Sequence, residues 1–289
     1  MKSYQIVFDA IGTTWKIDLD SQSEESVQVL KEYIVGMLAS FDALYSRFRS
    51  DSLVSTMARK RGTCTLSQDG VLLLRLYKKL YEITDGAFTP LIGSVLSDAG
   101  YDATYSFQDV TLKSPPKWED VIEFDGDRLT IKTPALLDFG GLGKGYMIDK
   151  IASYFDRQEI KNYCIDAGGD IVYKTASEKP LAVGLEHPEK KDQVIGVAQI
   201  VNESICASAG NRRAWGKYHH IINPHTLMSP SKTLATWVVA DSAGIADALA
   251  TCLFLVHPKV LLPHFSFSYC VVKNDYSVAS SKGFPVQFF

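Results

Sequence analysis

Hydrophobic side chains recur every three or four positions in two stretches of the first half of the chain. Ser23 is the predicted N-cap of an amphipathic helix at 24–48, whose apolar residues step by three and four over 27–48, and a second helix is predicted at about 69–84. Before them, two short strand-like runs at 3–8 and 14–19 flank Gly12 and predict a β-hairpin. The first half is therefore predicted to combine a hairpin with two long helices.

The rest of the chain alternates short strands with further helices. The stretch 97–134 is rich in loop-forming residues, so it is predicted to be an insertion or a lid rather than part of the core. Long helices among hairpin-like strands indicate an α+β fold with mainly antiparallel sheets. Helices are predicted at about 144–156 and 242–256, and strands at 162–166, 170–174, 181–185, 194–201, 219–222, 234–240 and 267–273.

Length and composition are those of an ordinary folded protein. The 289 residues are 46% hydrophobic and 22% charged, values that exclude a disordered or fibrous chain. The 30 Lys and Arg side chains against 33 Asp and Glu give a formal charge of -3, which argues against a protein that mainly binds nucleic acid. We expect a single domain over 1–289, with two closely packed lobes of about 1–135 and 136–289 as the alternative.

The cysteine pattern bears on the cellular compartment. The five cysteines are scattered and form no CxxC pair, which is typical of a reducing compartment rather than of a disulfide framework or a zinc ribbon. The given chain shows no apolar leader, no lipobox and no run of 18 apolar residues. The sequence therefore predicts a cytoplasmic protein without a membrane segment, provided that no export signal has been removed.

Two glycine-rich segments could approach a bound phosphate or flavin. Residues 138–149 read DFGGLGKGYMID. Glycines ahead of a helix there offer backbone N–H donors, and Lys144 adds a positive charge for a phosphate. Residues 166–171 read DAGGDI, in which paired glycines permit the positive φ of a tight hairpin. For both segments a purely structural glycine turn is the alternative.

The segment 208–226 is the third candidate. One inward histidine acting as an acid or base, with one of the arginines on a phosphate, fits this segment. Zinc is disfavoured because adjacent histidines in a strand point to opposite faces and no cysteine or acid stands at ligand spacing. Surface histidines on an edge strand are the alternative. The residues concerned are Arg212, Arg213, His219, His220 and His225.

A pair of oxygen-bearing side chains marks the fourth candidate. Asp247 and Thr251 are four residues apart among small and apolar residues, so on a helix they share one buried face. A buried carboxylate needs a partner. One carboxylate and one hydroxyl, completed by backbone carbonyls and substrate phosphate oxygens, suit Mg²⁺. A carboxylate bonded to neighbouring backbone N–H groups is the alternative.

Taken together and in this order, the four segments resemble those of the ApbE family, the FAD:protein FMN transferases, over nearly the whole chain. The family motifs DxGGxxKGYxxD, (N/D)AGGDI, HHIIDPxTG and ADALAT are similar to residues 138–149, 166–171, 219–226 and 246–251. Shorter similarities lie at 11–13, 46–52 and 84–88.

The resemblance implies a Mg²⁺-dependent transferase with an ApbE-like fold and an FAD site between the two halves of the chain. It would pass the FMN phosphoryl moiety of FAD to a Thr or Ser hydroxyl of an acceptor flavoprotein and release AMP, with His220 as the catalytic base. The implied metal ligands are Asp247, Thr251 and the carbonyl of Gly143 or Ala250. The implied FAD-binding residues are Ile11, Gly12, Phe48, Gly140, Gly141, Gly143, Lys144, Asp166, Gly168, Gly169, Ser208 and Arg212.

Several positions depart from the family pattern. Ala209 stands where the family usually has Ser, and Asn223 where it has Asp, which bears on the transfer step more than on FAD and Mg²⁺ binding. The other departures are Ile11 for Met, Thr89 for Asp, His225 for Arg and Leu227 for Gly. Two alternatives stay open, an FAD pyrophosphatase that gives FMN and AMP with water as acceptor, and a non-catalytic FAD-binding protein.

Overall fold

The computed structural model describes residues 2–21, 23–190 and 192–289 of the chain. The predicted long helices are confirmed, each within one or two residues at its N-terminus. The helices are α1 (Glu24–Tyr45), α2 (Leu53–Arg59), α3 (Gln68–Ile83), α4 (Gly93–Asp98), α5 (Trp118–Val121), α6 (Gly143–Arg157), α7 (Ala243–Leu255) and α8 (Pro258–Leu261).

Strands occur in both halves of the chain. They are β1 (Lys2–Ala10), β2 (Thr13–Ser21), β3 (Gly62–Thr65), β4 (Ile122–Asp125), β5 (Arg128–Ile131), β6 (Tyr163–Ala167), β7 (Ile171–Lys174), β8 (Leu181–Glu186), β9 (Val194–Ile200), β10 (Ser204–Ala209), β11 (Ala214–Trp215), β12 (Tyr218–His219), β13 (Thr233–Ala240), β14 (Ser268–Lys273), β15 (Val278–Ser280) and β16 (Val286–Phe288).

One large sheet organises the fold. Its eight strands lie in the order β1-β2-β6-β7-β10-β13-β14-β15, and the pairs within it are antiparallel. Smaller sheets have the orders β16-β9-β8, β3-β5-β4 and β11-β12. The expected α+β fold with mainly antiparallel sheets is confirmed.

The two faces of the large sheet contact different parts of the core because side chains alternate along each strand. On β13, Val238 belongs to the main core, which also contains the buried residues of α1, α3, α6 and α7. Its neighbours Trp237 and Val239 belong to a second core with Leu185 of β8 and Ile200 of β9. Helices therefore cover one face of the large sheet, and the β16-β9-β8 sheet covers the other.

A tertiary cap joins the two helices that carry the glycine–lysine segment and the proposed metal pair. Asp149 of α6 accepts hydrogen bonds from the backbone N–H groups of Ala243, at 2.7 Å, and Gly244, at 2.8 Å, and from the Ser242 hydroxyl at 2.6 Å. A carboxylate is favourable at this position because the first N–H groups of a helix lack intrahelical partners. The cap fixes the N-terminus of α7 against α6.

Four sequence-based expectations about secondary structure were wrong. The stretch 97–134 is not only a loop, because it contains α5, β4 and β5, and Trp118 and Leu129 are buried in the main core. Strand β10 was not predicted. The strand expected at 219–222 is limited to β12, and two short strands, β15 and β16, follow the one expected to be last.

Candidate active site

A cavity of about 620 Å³ opens between the helices and the large sheet, and residues from both halves of the chain line it. This volume is within the usual range for small-molecule sites. Most of the implied site residues line it, although they come from segments far apart in the sequence. They are Ile11, Gly12, Phe48, Gly140, Gly141, Gly143, Lys144, Gly168, Gly169, Ser208, Arg212, His220, Asp247 and Thr251.

Asp166 and Ala250 are absent from the cavity lining among the described residues. The Asp166 carboxylate accepts a hydrogen bond from the Gly169 N–H at 2.7 Å and so closes the turn between β6 and β7. The Ala250 carbonyl accepts a hydrogen bond from the Thr236 hydroxyl at 2.7 Å, which ties α7 to β13. Both residues support the backbone beside the cavity, and their implied contacts with FAD or metal stay predictions.

Three charged side chains, which we call the ion cluster, converge on one side of the cavity: Lys144, Asp170 and Asp247. The Lys144 ammonium lies 2.6 Å from Asp170 Oδ2 and 3.3 Å from Asp247 Oδ2. The side chains of Asp170 and Asp247 are only 3% and 4% exposed. The Gly145 N–H also donates to Asp247 Oδ2 at 2.9 Å. Two buried carboxyl groups thus share one ammonium.

Burial and pairing shift the proton affinities of the ion cluster in opposite directions. Burial raises the pKa of Asp247, and the Lys144 ammonium opposes that rise. Burial would lower the pKa of Lys144, but the carboxylates of Asp170 and Asp247 outweigh burial, so the pKa of Lys144 is raised overall. Lys144 therefore carries its positive charge throughout the physiological pH range.

Asp170 was missed by the sequence analysis, which considered the DAGGDI segment for its glycines. It is 2% exposed, and its Oδ1 accepts a hydrogen bond from the Ala207 N–H of β10 at 3.1 Å. A signal for it exists in the sequence, since it is a carboxylate placed directly before the apolar strand β7. Because Lys144 is far from Asp170 in the sequence, the position of Asp170 alone does not show which side chain it contacts.

The oxygen atoms around Asp247 fit a hard divalent cation. The Asp247 carboxyl group is buried, and the Thr251 hydroxyl, one helical turn later, lies 3.3 Å from the Ser208 hydroxyl. Carboxylate and hydroxyl oxygens suit Mg²⁺, which keeps several waters or substrate oxygens when few protein ligands are present. The described residues form no group of three or more His, Cys, Asp or Glu side chains that could hold a metal by themselves.

His220 and His219 lie in different environments although they are adjacent. His219 is engaged with its own loop, because its Nε2 lies 3.2 Å from the Pro230 carbonyl and its Nδ1 accepts a hydrogen bond from the Ile221 N–H. His220 lines the cavity, and its Nδ1 has no hydrogen-bond partner among the described residues. Burial, with the nearby charge of Arg213, lowers the pKa of His220 to about 3. Its imidazole is therefore neutral and can accept a proton.

The Asn that replaces the family Asp at position 223 has a local structural role. Its Oδ1 accepts hydrogen bonds from the backbone N–H groups of His225 and Thr226, at 2.9 and 3.3 Å. An aspartate oxygen would accept the same bonds, so the change preserves this turn. Leu227, where the family has Gly, lies in the left-handed region with φ 58°.

The β1–β2 hairpin brings its turn to the edge of the cavity. Ile11 and Gly12 have φ values of 48° and 70°, as a two-residue turn with positive φ at both positions requires. Across the cavity edge, Gly168 has φ 70°, and a Cβ there would overlap the Thr13 hydroxyl. The approach of β2 to the DAGGDI turn therefore needs glycine at 168.

A second side of the cavity, the aromatic wall, consists of Phe48, Tyr101 and Tyr105. The Phe48 and Tyr105 rings are stacked at 5.4 Å between centroids, and Tyr101 meets Phe48 edge-on. Buried Arg47 lies with its guanidinium carbon 4.2 Å from the Phe48 centroid and 4.8 Å from that of Tyr101. Its Nε donates to Asp138 Oδ2 at 2.5 Å. These rings form an apolar face with a cation behind it.

Arg212 and Arg213 take different positions at the rim of the cavity. Arg212 pairs with Glu186 at 2.8 Å, and about half of its side chain is exposed. Arg213 donates to the Tyr101 hydroxyl at 2.7 Å and to the Gly12 carbonyl at 3.2 Å. Arg213 thus links the aromatic wall to the β1–β2 turn, a contact that the sequence alone does not indicate.

The family assignment follows from comparison with known proteins. The sequence matches the profile of the ApbE family over residues 11–264, and the chain belongs to that family. Among similar proteins, an FAD:protein FMN transferase of Vibrio cholerae is 23% identical over 264 residues, covering 85% of this chain and 79% of its own. One of Escherichia coli is 22% identical over 272 residues, covering 86% and 77%.

Solved structures show the same fold. The flavin transferase ApbE from Vibrio cholerae has a TM-score of 0.82 at 21% identity and covers 98% of both chains. The ApbE protein from Thermotoga maritima has a TM-score of 0.81 at 24% identity and covers 97% of both. None of the helices in the described residues is both long and apolar enough to cross a lipid bilayer.

Proposed function

We propose that this protein is a Mg²⁺-dependent FAD:protein FMN transferase that modifies a Thr or Ser hydroxyl of an acceptor flavoprotein and releases AMP. The observation that carries the proposal is the convergence of Lys144, Asp247, Thr251 and His220 on one cavity. The names of relatives that match most of the chain support the reaction class. We also propose that residues 1–289 form a single domain, because both halves of the chain contribute to the cavity.

The glycine–lysine segment is suited to the diphosphate of FAD. Lys144 is the second residue of α6, and 25% of its side chain is exposed toward solvent. Helix N-termini present free N–H donors and a positive dipole end, which favour phosphate oxygens. We assign the diphosphate to this side of the cavity and the isoalloxazine ring to the aromatic wall, where stacked rings offer an apolar face.

Asp247 and Thr251 would hold Mg²⁺, with the carbonyl of Gly143 or Ala250 as a further ligand. When bound, the ion would neutralise negative charge that develops on the diphosphate. The Gly145 N–H donates to Asp247 Oδ2 and keeps this buried side chain in place. The Thr251 hydroxyl is oriented by the Ser208 hydroxyl at 3.3 Å.

His220 is assigned as the base for the acceptor hydroxyl. Burial lowers the pKa of His220 and so keeps its imidazole neutral, and we assign its Nδ1, which has no partner among the described residues, as the atom that takes the hydroxyl proton. The negative charge of bound diphosphate would raise the proton affinity of the ring. The acceptor oxygen then forms a bond to the phosphorus of the FMN half. The bond from that phosphorus to the bridging oxygen breaks, and its electron pair leaves with AMP. With water in place of the hydroxyl, the same step would give free FMN.

The test is covalent flavin labelling. The purified protein is incubated with FAD, Mg²⁺ and a flavoprotein domain that carries a candidate Thr or Ser, and the acceptor is examined by in-gel fluorescence. We expect labelling by wild type and by Asp18→Asn, which alters an exposed carboxylate of β2. Asp247→Asn should abolish labelling, since the variant lacks the carboxylate charge.

Three outcomes would contradict parts of the proposal. Full labelling by Asp247→Asn would remove Asp247 from the metal site. Release of FMN and AMP without any acceptor would make the protein an FAD pyrophosphatase. Tight FAD binding without turnover in any divalent metal would make it a non-catalytic FAD-binding protein.

A further inference from the structure

Asp170 lies beside the proposed metal ligand Asp247, yet the two carboxylates contact Lys144 unequally. Asp170 Oδ2 is 2.6 Å from the Lys144 ammonium, whereas the Asp247 oxygens are 3.3 and 3.4 Å from it. Asp170 Oδ1 is bound by the Ala207 N–H at 3.1 Å. The ammonium is therefore held mainly by Asp170, although Asp247 is within ion-pair distance.

The two carboxylates are fixed in place, whereas Lys144 can move. Asp170 is held by the Ala207 N–H and by its own carbonyl, which accepts from the Ala167 N–H at 2.9 Å. Asp247 is held by the Gly145 N–H. Lys144 is a flexible four-carbon side chain and is the most exposed member of the ion cluster. The position of the Lys144 ammonium therefore depends on how strongly each of the two carboxylates attracts it.

A lysine ammonium and a divalent cation compete for the same carboxylate. Each neutralises Asp247, and two cations on one buried carboxylate repel each other strongly, because charges interact over short distances with little screening inside a protein. Without Asp170, Asp247 would be the remaining carboxylate partner of Lys144 in the ion cluster. The ammonium would then lie on the oxygen atoms that the metal needs.

We propose that Asp170 is a positioning residue that draws the Lys144 ammonium toward itself and so weakens its competition with a divalent cation for the Asp247 carboxylate. This inference rests on the proposed function, in which Asp247 and Thr251 hold Mg²⁺. Lys144 and the cation are alternative partners of Asp247, and Asp170 determines which of them is bound. Lys144 also stays charged and close to the helix N-terminus, where a substrate phosphate would meet it.

The test is a double-mutant cycle on metal binding without FAD. Binding of Mn²⁺, which shares the preference of Mg²⁺ for oxygen ligands, is measured by electron paramagnetic resonance of the free ion. The proteins are wild type, Asp170→Asn, Lys144→Met and the double variant, whose ion cluster keeps the net charge of wild type. Asp247→Asn is measured beside them to show whether binding depends on Asp247. Asp18→Asn serves as the control for loss of one exposed carboxylate, and Lys144→Gln replaces Lys144→Met if that variant does not fold.

The expected result is coupling between the two positions. Asp170→Asn should weaken Mn²⁺ binding about tenfold when Lys144 is present, a size typical of residues in direct contact. Lys144→Met alone should strengthen binding, and adding Asp170→Asn to it should have a much smaller effect than in wild type. A positioning role requires this difference, because Asp170 acts through Lys144.

Two results would overturn the inference. Equal losses from Asp170→Asn in both backgrounds would mean that Asp170 is itself a ligand or acts only through its charge. That result would leave the proposed function intact if binding still depends on Asp247. Absence of Asp247-dependent Mn²⁺ binding in every variant would overturn the metal site and this inference together.

Discussion

The ion cluster and the aromatic wall line the same cavity but are built from different parts of the fold. Lys144 and Asp247 lie on α6 and α7, and Asp170 lies in the tight turn between β6 and β7, where its carbonyl accepts from the Ala167 N–H. The aromatic wall lies on connecting segments after α1 and α4, and Tyr105 has a left-handed backbone with φ 52°. The charged side therefore depends on helix and strand packing, and the aromatic side on loop conformation and on the cation behind it.

This difference indicates where each side is vulnerable. The charged side should fail when α6 and α7 are pushed apart, because its members come from different elements. The aromatic side should fail when Arg47 is removed, because Arg47 contacts the rings of Phe48 and Tyr101 and donates to the Tyr101 carbonyl. Substitutions of Arg47, Gly145 and His220 test this difference between the two sides.

Arg47→Met should cause the largest loss. It removes the partner of Asp138 from a site where the Arg47 side chain is 2% exposed and the Asp138 side chain 12%, and breaking such a buried pair typically costs about 3–5 kcal/mol. Lys217→Met is the matched control, because its pair with Asp109 is exposed and should be worth less than about 1 kcal/mol. Urea unfolding measures both, and equal small losses would show that Arg47 does not hold the aromatic wall.

Gly145→Ala tests the contact between α6 and α7. A Cβ at 145 would overlap the Ala243 carbonyl and approach Asp247 Cβ to 2.7 Å, so we expect a loss of about 1–3 kcal/mol from overpacking. Gly36→Ala in α1 is the control, since a Cβ there meets nothing within 4 Å, and it should stabilise by about 0.5–1 kcal/mol. Unfolding midpoints compare the two, and a neutral Gly145→Ala would contradict the close helix contact.

His220 provides the smallest expected effect, through pH. Its folded pKa of about 3 is below the ordinary value because burial and Arg213 disfavour the charged ring, so only the unfolded chain gains its proton between pH 7 and pH 5. The unfolding free energy should therefore fall by up to about 2 kcal/mol over that range from this residue. His220→Gln should show a correspondingly shallower pH dependence, and an unchanged slope would mean that His220 titrates normally.

The sequence was most informative where local chemistry and spacing agree. The apolar run of α7 predicted both the helix and its buried Asp247. In the structure the Ser242 hydroxyl accepts from the Ile245 N–H at 3.2 Å, as a helix N-cap does. Long periodic helices are recognisable because one face must be buried. The segments that resemble ApbE family motifs also occur in the family's order along the chain, which made the resemblance more specific than any one segment.

The rest depends on contacts that a single sequence does not display. Strand β10 reads SICASA and is buried on both faces over much of its length, so it lacks the alternation that marks a half-exposed strand. The prolines at 115 and 116 suggested an insertion at 97–134, but Trp118, two residues after Pro116, is buried. Asp170 and Arg213 owe their roles to partners that only the folded chain brings near.

The sequence separation within the ion cluster also sets an order of events during synthesis. Asp247 lies 103 residues after Lys144, so at about 5–20 residues per second a ribosome makes Lys144 roughly 5 to 20 s earlier. During that interval the nascent chain already has Asp170 as a partner for the lysine but lacks α7 and the cap that Asp149 gives it. The charge pair between Lys144 and Asp170 can therefore form first, and the proposed cation site of Asp247 and Thr251 can form only after α7 has been translated.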